Sequence, residues 1–261
     1  MRGIILREAA AALFPGLGLL LRWLVWAALA FPRLAVAGPP FVTDDPEPTD
    51  TGHFENYLYT QGTRVSGEAV DPGVGIEIDY GAFANTQLTL TLPLNPNPGP
   101  GGTGLVWAPL GGGVKYRFIQ EDDNGWRPQV AIFPQIFSPI GPGSRGTPTT
   151  ELVPIWMQKS FGAWTTFGGG GYTNNPGSGN RNYVIYGWAL QRQVTDALAL
   201  GGEVFGQTRA SIGGRASAAI GLAALYDFNK TWHLIGSVNS GIVDARQSDR
   251  FSFNLAVKWT R

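Results

Sequence analysis

The chain of 261 residues contains no cysteine, which excludes disulfides, thiolate metal sites, a cysteine nucleophile and an acylated lipoprotein anchor. Setting aside the four arginines and one glutamate of residues 1–37 from totals of 19 basic and 19 acidic residues leaves 15 and 18, so no basic excess remains to neutralise a phosphate backbone and no nucleic-acid partner is expected. Charged residues at 15% lie below the roughly 25% of a soluble domain, while 37 glycines and 12% aromatics are high, as in a glycine-rich, aromatic-belted barrel in lipid.

Residues 1–37 read as a signal peptide. A basic start leads to the apolar run Trp23 to Phe31, then Pro32, Arg33 and the small-residue pattern Ala35-Val36-Ala37, with cleavage expected after Ala37. Leu13 to Leu21 is also apolar and Arg22 divides the two runs, which leaves an uncleaved inner-membrane anchor as the alternative. No later run approaches the roughly 20 apolar residues of a spanning helix. Residues 38–52 follow as a leader carrying Thr43-Asp44-Asp45-Pro46-Glu47-Pro48. Its prolines oppose both helix and central strand, so the expectation is an extended, solvated periplasmic tail. Plugging of a lumen and contact with a periplasmic partner are the other readings.

From residue 53 to 261 the pattern has a period of two. Val74, Ile76, Ile78 and Tyr80 alternate with Gly75, Glu77 and Asp79; four leucines alternate with polar residues and proline over Gln87 to Leu94. Val114, Tyr116 and Phe118 alternate with Lys115 and Arg117, and Phe251 to Trp259 alternates with Ser252 to Thr260. Trp126 to Ile140 is apolar on both faces and interrupted by Pro128, Pro134 and Pro139, and Leu152 to Ser160 does not declare an outward face. Charges in mid-strand, such as Glu77, Lys115, Glu203 and Lys258, are expensive in a sandwich core but not in a polar lumen. Connections alternate too. Short turns near Ala82–Thr86, Gln120–Gly125, Phe161–Ala163, Thr195–Ala197 and Asn229–Thr231 separate longer stretches at Gly62–Gly73, Asn95–Gly104, Gly141–Thr150, Thr173–Asn182, Thr208–Ser217 and Ile242–Arg250. These give about twelve antiparallel strands, with ten or fourteen as alternatives, closed into a transmembrane β-barrel with periplasmic termini, because lipid does not tolerate an open edge. Tyr80, Phe118, Trp126, Trp164, Phe228, Trp232 and Trp259 flank the short turns or the C-terminus as an interfacial girdle, and a terminal strand ending near Trp259 suits recognition by barrel-assembly machinery.

By strand phase the lumen should be lined by Glu77, Asp79, Gln87, Lys115, Arg117, Gln129, Phe133, Gln135, Gln191, Gln193, Glu203, Phe205, Gln207, Asp227, His233, Asn239 and Lys258. Both signs of charge occur, so strong ion selectivity is not implied. His233, Ser237 and Asn239 share a strand face and invite a lipid-hydrolase reading, but residues four apart on a strand are about 13 Å apart and this face is the lumen one. Gly168–Gly171 lacks the Lys-Ser/Thr of a phosphate loop and reads as room for neighbouring aromatics. Glu121, Asp122, Asp123 and Asn124 read as a turn, without the distal bidentate acid of a calcium loop. No catalytic, cofactor-binding or metal site is expected, and no cofactor.

In order along the chain stand Gly38-Pro39-Pro40-Phe41, Thr43-Asp44-Asp45-Pro46-Glu47-Pro48, Gly52-His53, Gly113-Val114-Lys115-Tyr116-Arg117-Phe118 and Gln158-Lys159-Ser160-Phe161-Gly162. They are followed by Trp164-Thr165-Thr166-Phe167-Gly168-Gly169-Gly170-Gly171-Tyr172, Asn180-Arg181-Asn182, Gly187-Trp188, Leu190-Gln191-Arg192-Gln193-Val194-Thr195-Asp196 and Gly201-Gly202-Glu203-Val204-Phe205. Through these stretches the chain resembles the outer-membrane proteins grouped under phenol meta-pathway (MetA) degradation. The resemblance implies an outer-membrane barrel of transporter type and offers no catalytic residues. The expected function is passive uptake of small, hydrophobic or aromatic solutes across the outer membrane of a Gram-negative-type envelope, with membrane lipid, solute and assembly machinery as partners. A structural or adhesive barrel with a closed lumen is the rival, and an outer-membrane lipid hydrolase the weaker one.

Overall fold

A computed structural model describes residues 41–96, 104–122, 125–140 and 148–261. The signal segment 1–37 with its cleavage after Ala37, residues 38–40 of the leader, loop residues 97–103 and 141–147, and Asp123 and Asn124 lie outside the described residues.

Among the described residues fourteen ladder segments follow one another: β1 (Phe54–Arg64), β2 (Asp71–Phe83), β3 (Thr86–Pro96), β4 (Leu105–Trp107), β5 (Leu110–Ile119), β6 (Gln129–Ile132), β7 (Gln135–Ser138), β8 (Thr150–Phe161), β9 (Trp164–Asn174), β10 (Tyr183–Thr195), β11 (Leu198–Gln207), β12 (Ser217–Asp227), β13 (Trp232–Val243) and β14 (Phe251–Thr260). β4 pairs only with the end of β3, as a loop extension. β6 and β7 are one strand broken at Phe133–Pro134, since both halves keep the same register against β5. Twelve strands result, all antiparallel to their neighbours, and β14 pairs with β1 from Glu55↔Thr260 to Arg64↔Phe251, which closes the barrel. The expected twelve-strand antiparallel barrel is the observed fold.

Alternation turns the barrel inside out relative to a soluble domain. Leu58, Ile76, Leu88, Val114, Trp188, Leu222, Val238 and Leu255 are among the large apolar side chains left on the outer surface. Asp79, Gln87, Lys115, Glu203, Asn239 and Lys258 are buried on the inner one. Water would not solvate such an outer face, whereas acyl chains do. β8 resolves its own ambiguity: Val153, Ile155 and Met157 are exposed outward and Trp156 is buried inward, while Lys159, on the outward phase, is buried against Glu121 and Asp122 of the β5–β6 connection. The interior is not wholly polar, because Ala199, Leu225, Ile235 and Ala256 pack together beside Tyr57 and Tyr59.

The ends of the barrel differ. At one end β2–β3, β8–β9 and β10–β11 are joined by two residues and β12–β13 by four, while β5–β6, expected to be a short turn at Gln120–Gly125, spans nine. Asn85 and Gly162 take positive φ of 60° there, as tight hairpins demand. Aromatics gather at this end: Phe54 stacks on Tyr80 at 4.6 Å and Tyr226 meets Phe228 edge-on at 5.1 Å. Mid-wall, the glycines of β9 let β8 and β10 approach. A Cβ on Gly171 would fall 2.6 Å from the Pro154 Cα, and one on Gly168 2.5 Å from the Gly187 carbonyl. Because the obstacle at Gly171 is backbone, Gly171→Val should destabilise the barrel by about 1–3 kcal/mol. A lower urea midpoint, followed by the heat-modifiable gel shift, is the expected result; an unchanged midpoint would contradict this packing.

Candidate functional site: the lumen and its leader

Residues 41–52 do not form the solvated tail expected of them. They run inside the barrel, with Thr43, Asp45 and Thr49 buried and Pro46 fully enclosed. The run starts from the short-turn rim, where the Gly52 N–H donates to the Gly81 carbonyl at 2.7 Å and the Gly81 N–H to the His53 carbonyl at 3.1 Å. Next inward, the Thr49 N–H and hydroxyl both donate to Gln87 Oε1, at 2.8 and 3.1 Å. Glu47 lies 3.8 Å from Arg117 Nη1. Lys115 Nζ is shared by Asp44 at 3.1 Å and Asp45 at 3.7 Å. At mid-barrel the Val42 and Thr43 N–H groups donate to the two oxygens of Glu203, each at 2.9 Å, and the Thr43 hydroxyl donates to Oε2 at 2.8 Å. Phe41 then meets Phe167 edge-on at 5.4 Å.

The reason for the correction is charge and polarity at a distance in sequence. An acidic, proline-rich segment has no helix or strand to join, yet Lys115, Arg117, Gln87 and Glu203 offer partners that no local pattern reveals. Pro46 and Pro48 keep the segment extended at little further entropic cost. Burial pushes the Asp45 carboxyl up to about 7, against the attraction of Lys115 and with the repulsion of Asp44 and Glu47. Burial likewise raises Glu47, which Arg117 opposes.

Beside the leader remains a cavity of about 910 Å³. Of the residues expected in the lumen, Glu77, Asp79, Gln87, Lys115, Phe133, Gln135, Asp227 and His233 border it. Arg117 and Gln129 are joined at 3.0 Å beneath the leader. Glu203 is covered by the leader, and Lys258 is sealed against Glu55 at 2.9 Å. Gln191 and Gln193 share the inward phase of Ala189 on β10, and Phe205 and Gln207 that of Glu203 on β11; none of these four borders the cavity. Asn239 donates to Ser252 at 3.2 Å. Sequence reasoning missed Phe41, Tyr57, Tyr59 and Trp156 as cavity walls. The two tyrosines were legible from the alternation in β1; Trp156 was not, because β8 is apolar on both faces.

The polar constellations are structural. His233 holds Asp227 through Nδ1 and comes 3.4 Å from Thr260 Oγ1, but that hydroxyl donates to the Lys230 carbonyl at 2.8 Å. Ser237 makes no bond to His233, so no nucleophile is matched to a base. Glu121 and Asp122 are engaged by Lys159 at 3.1 and 3.3 Å. Among the described residues no cluster of three His, Asp or Glu side chains is placed to hold a metal ion.

Glu203 anchors the tip of the leader through three hydrogen bonds, and bonds to a charged acceptor are each worth about 1.5–3 kcal/mol. Glu203→Ala should therefore raise the protease sensitivity of the leader by about tenfold or more, read as the rate of cleavage within residues 41–50 of the folded barrel. Cleavage as slow as in the parent would contradict the anchoring.

No family model and no curated protein matches the chain. Solved structures do. The COG4313 outer membrane channel from Pseudomonas putida F1 superposes with a TM-score of 0.64 at 12% identity, over 83% of this chain and 98% of that one. The NanC porin gives 0.50 at 9% identity, over 77% and 98%. Outer membrane phospholipase A from Escherichia coli gives 0.48 at 12%, over 84% and 98%. At such identities the likeness is one of fold: this chain has the barrel architecture of outer-membrane channels and porins.

Proposed function

We propose that this protein is an outer-membrane channel for passive uptake of small hydrophobic or aromatic molecules, closed at rest by its own leader. The observation that carries the reading is the leader itself, held across the periplasmic half of a lumen that still keeps a 910 Å³ cavity. A barrel needing only mechanical stability has no use for a segment attached by separable charge pairs. The cavity wall combines aromatic rings (Phe41, Tyr57, Tyr59, Phe133, Phe137 and Trp156) with scattered polar groups, which suits a planar apolar solute. Export by the signal peptide, assembly by the barrel machinery and the MetA-type affiliation belong to the same proposal. The printed names of similar barrels, an outer membrane channel and a porin, agree with it.

The rival is a structural barrel in which the same segment only fills the lumen. The two readings part on solute flux: liposomes containing the leader-less barrel should take up small aromatic solutes faster than protein-free liposomes. No uptake and no conductance would sink the channel reading and leave the closed barrel.

Burial of a leader carboxyl makes closure pH-dependent. Asp45 has a carboxyl raised to about 7 when seated, against an ordinary value of 3.8, with Lys115, Asp44 and Glu47 facing it. The seated state therefore binds the proton more tightly, and seating strengthens as pH falls from 7 towards 4. It is weakest above 7. Open probability should rise by up to about tenfold per pH unit over that window and level off above it. Asp45→Asn should flatten the profile; an unaltered profile in that variant would assign the effect elsewhere.

A further inference from the structure

At the loop end of the barrel the β9–β10 connection (residues 175–182) and the β11–β12 connection (residues 208–216) are locked together. The Arg181 N–H donates to the Ala210 carbonyl at 3.0 Å and the Ile212 N–H to the Gly179 carbonyl at 2.8 Å, around the bridge Asn180↔Ser211. Asn175 Nδ2 ties the two connections, donating to the Arg181 carbonyl at 3.2 Å and to the Ala210 carbonyl at 3.1 Å. The result is a braced platform on top of the wall.

This platform carries three exposed arginines, Arg181, Arg209 and Arg215, and neither connection contains an acid. Carrying the β11–β12 register two residues past Gln207↔Ser217 sets Arg209 opposite Arg215, and Arg181 stands across from Ala210, next to Arg209. Like charges directly opposite one another destabilise a pair of strands unless a counter-ion joins them. Glu151 at the start of β8 and Asp244 past the end of β13 flank the platform. Glu151 accepts from Asn174 Nδ2 at 3.5 Å, and among the described residues neither carboxylate pairs with an arginine. Further round the rim charge is balanced, since Arg64, Arg246 and Arg250 stand with Glu68, Asp71, Asp244 and Asp249.

Height in the membrane selects the counter-ion. On the outer face of β9 Trp164 marks the short-turn interface, and Tyr172 lies about 27 Å along the strand, or about 20 Å higher at a tilt near 40°. The Tyr172 hydroxyl accepts from Asn182 Nδ2 at 2.6 Å, while Val184, Tyr186 and Trp188 extend the exposed apolar face downwards. Arg181, beside Asn182, therefore stands where acyl chains give way to headgroups. We infer that the platform is a seat for the phosphate groups of an outer-leaflet glycolipid, held by Arg181, Arg209 and Arg215 with its acyl chains against Tyr172, Val184 and Tyr186. Each guanidinium presents a planar fork that matches two phosphate oxygens, and three forks suit two phosphates on one lipid. The inference needs the outer-membrane setting and is independent of the channel reading.

The test is native mass spectrometry of the full barrel in a non-ionic detergent, titrated with diphosphoryl lipid A. The triple variant Arg181→Gln, Arg209→Gln, Arg215→Gln should lose affinity for it by about tenfold or more, while keeping the heat-modifiable shift of the folded barrel. Removing as much charge elsewhere on the rim, with Arg64→Gln, Arg246→Gln and Arg250→Gln, should leave retention at the parent level. Lipid A stripped of both phosphates should bind the parent no better than the diphosphoryl form binds the triple variant. Equal retention by the parent and the folded triple variant, or an equal loss in the control variant, overturns the seat. Displacement of lipid A by an excess of inorganic phosphate would mark a site for the free anion and overturn the lipid assignment.

Discussion

Deleting residues 41–50 should convert a nearly silent barrel into a conducting one, with mean single-channel conductance in planar bilayers rising by about tenfold or more. The deleted segment supplies every contact that crosses the lumen to Glu203, Lys115, Arg117 and Gln87. None of it belongs to a barrel strand, and the β1–β14 closure is untouched. The leader-less protein should therefore still migrate as a folded, heat-modifiable barrel. Its lumen would present Glu77, Asp79 and Glu203 together with the freed Lys115 and Arg117, so potassium and chloride should permeate at comparable rates. A folded, leader-less barrel that stays silent would mean that something other than residues 41–50 closes it.

Lys258 should dominate the stability of the closing seam. Its side chain is 1% exposed, its ammonium lies 2.9 Å from Glu55 and 5.6 Å from the Tyr57 ring, and it stands opposite Tyr57 in the β1–β14 register. Lys258→Ala would leave the Glu55 carboxylate, itself only 14% exposed, with the Tyr57 hydroxyl at 2.8 Å but no countercharge, and breaking such a pair costs about 3–5 kcal/mol. The urea midpoint of the folded band should fall accordingly. Pairing Lys258→Met with Glu55→Leu removes both charges at similar volume and should recover most of the loss. A double variant as unstable as the single one would show that packing, not the uncompensated charge, is at fault.

Much of the fold was legible because a barrel wall obeys a local rule. Ile76, Glu77 and Ile78 must face out, in and out whatever the rest of the chain does, and Lys115 between Val114 and Tyr116 fixes the sense. Where the rule lost contrast the reading did too. In β6–β7 both faces are largely apolar, and the sequence showed one strand interrupted by prolines but not that the break falls at Phe133–Pro134 with the register kept. The leader was the larger miss. Asp44, Asp45 and Glu47 between prolines look the same whether they meet water or Lys115, about 70 positions away in sequence. Long-range charge pairing leaves no periodic trace.

The central claim, that the leader is the closure of this lumen, can be tested by pinning it. The chain has no native cysteine, and a Cβ at Gly187 would lie 3.1 Å from that of Thr43, so Thr43→Cys with Gly187→Cys can bridge the leader to β10 with slight adjustment. Conductance of that double variant should be abolished at every pH when oxidised, and should return on reduction to the intermittent opening of the parent. An oxidised, fully cross-linked barrel that opens as often as the parent would contradict the account.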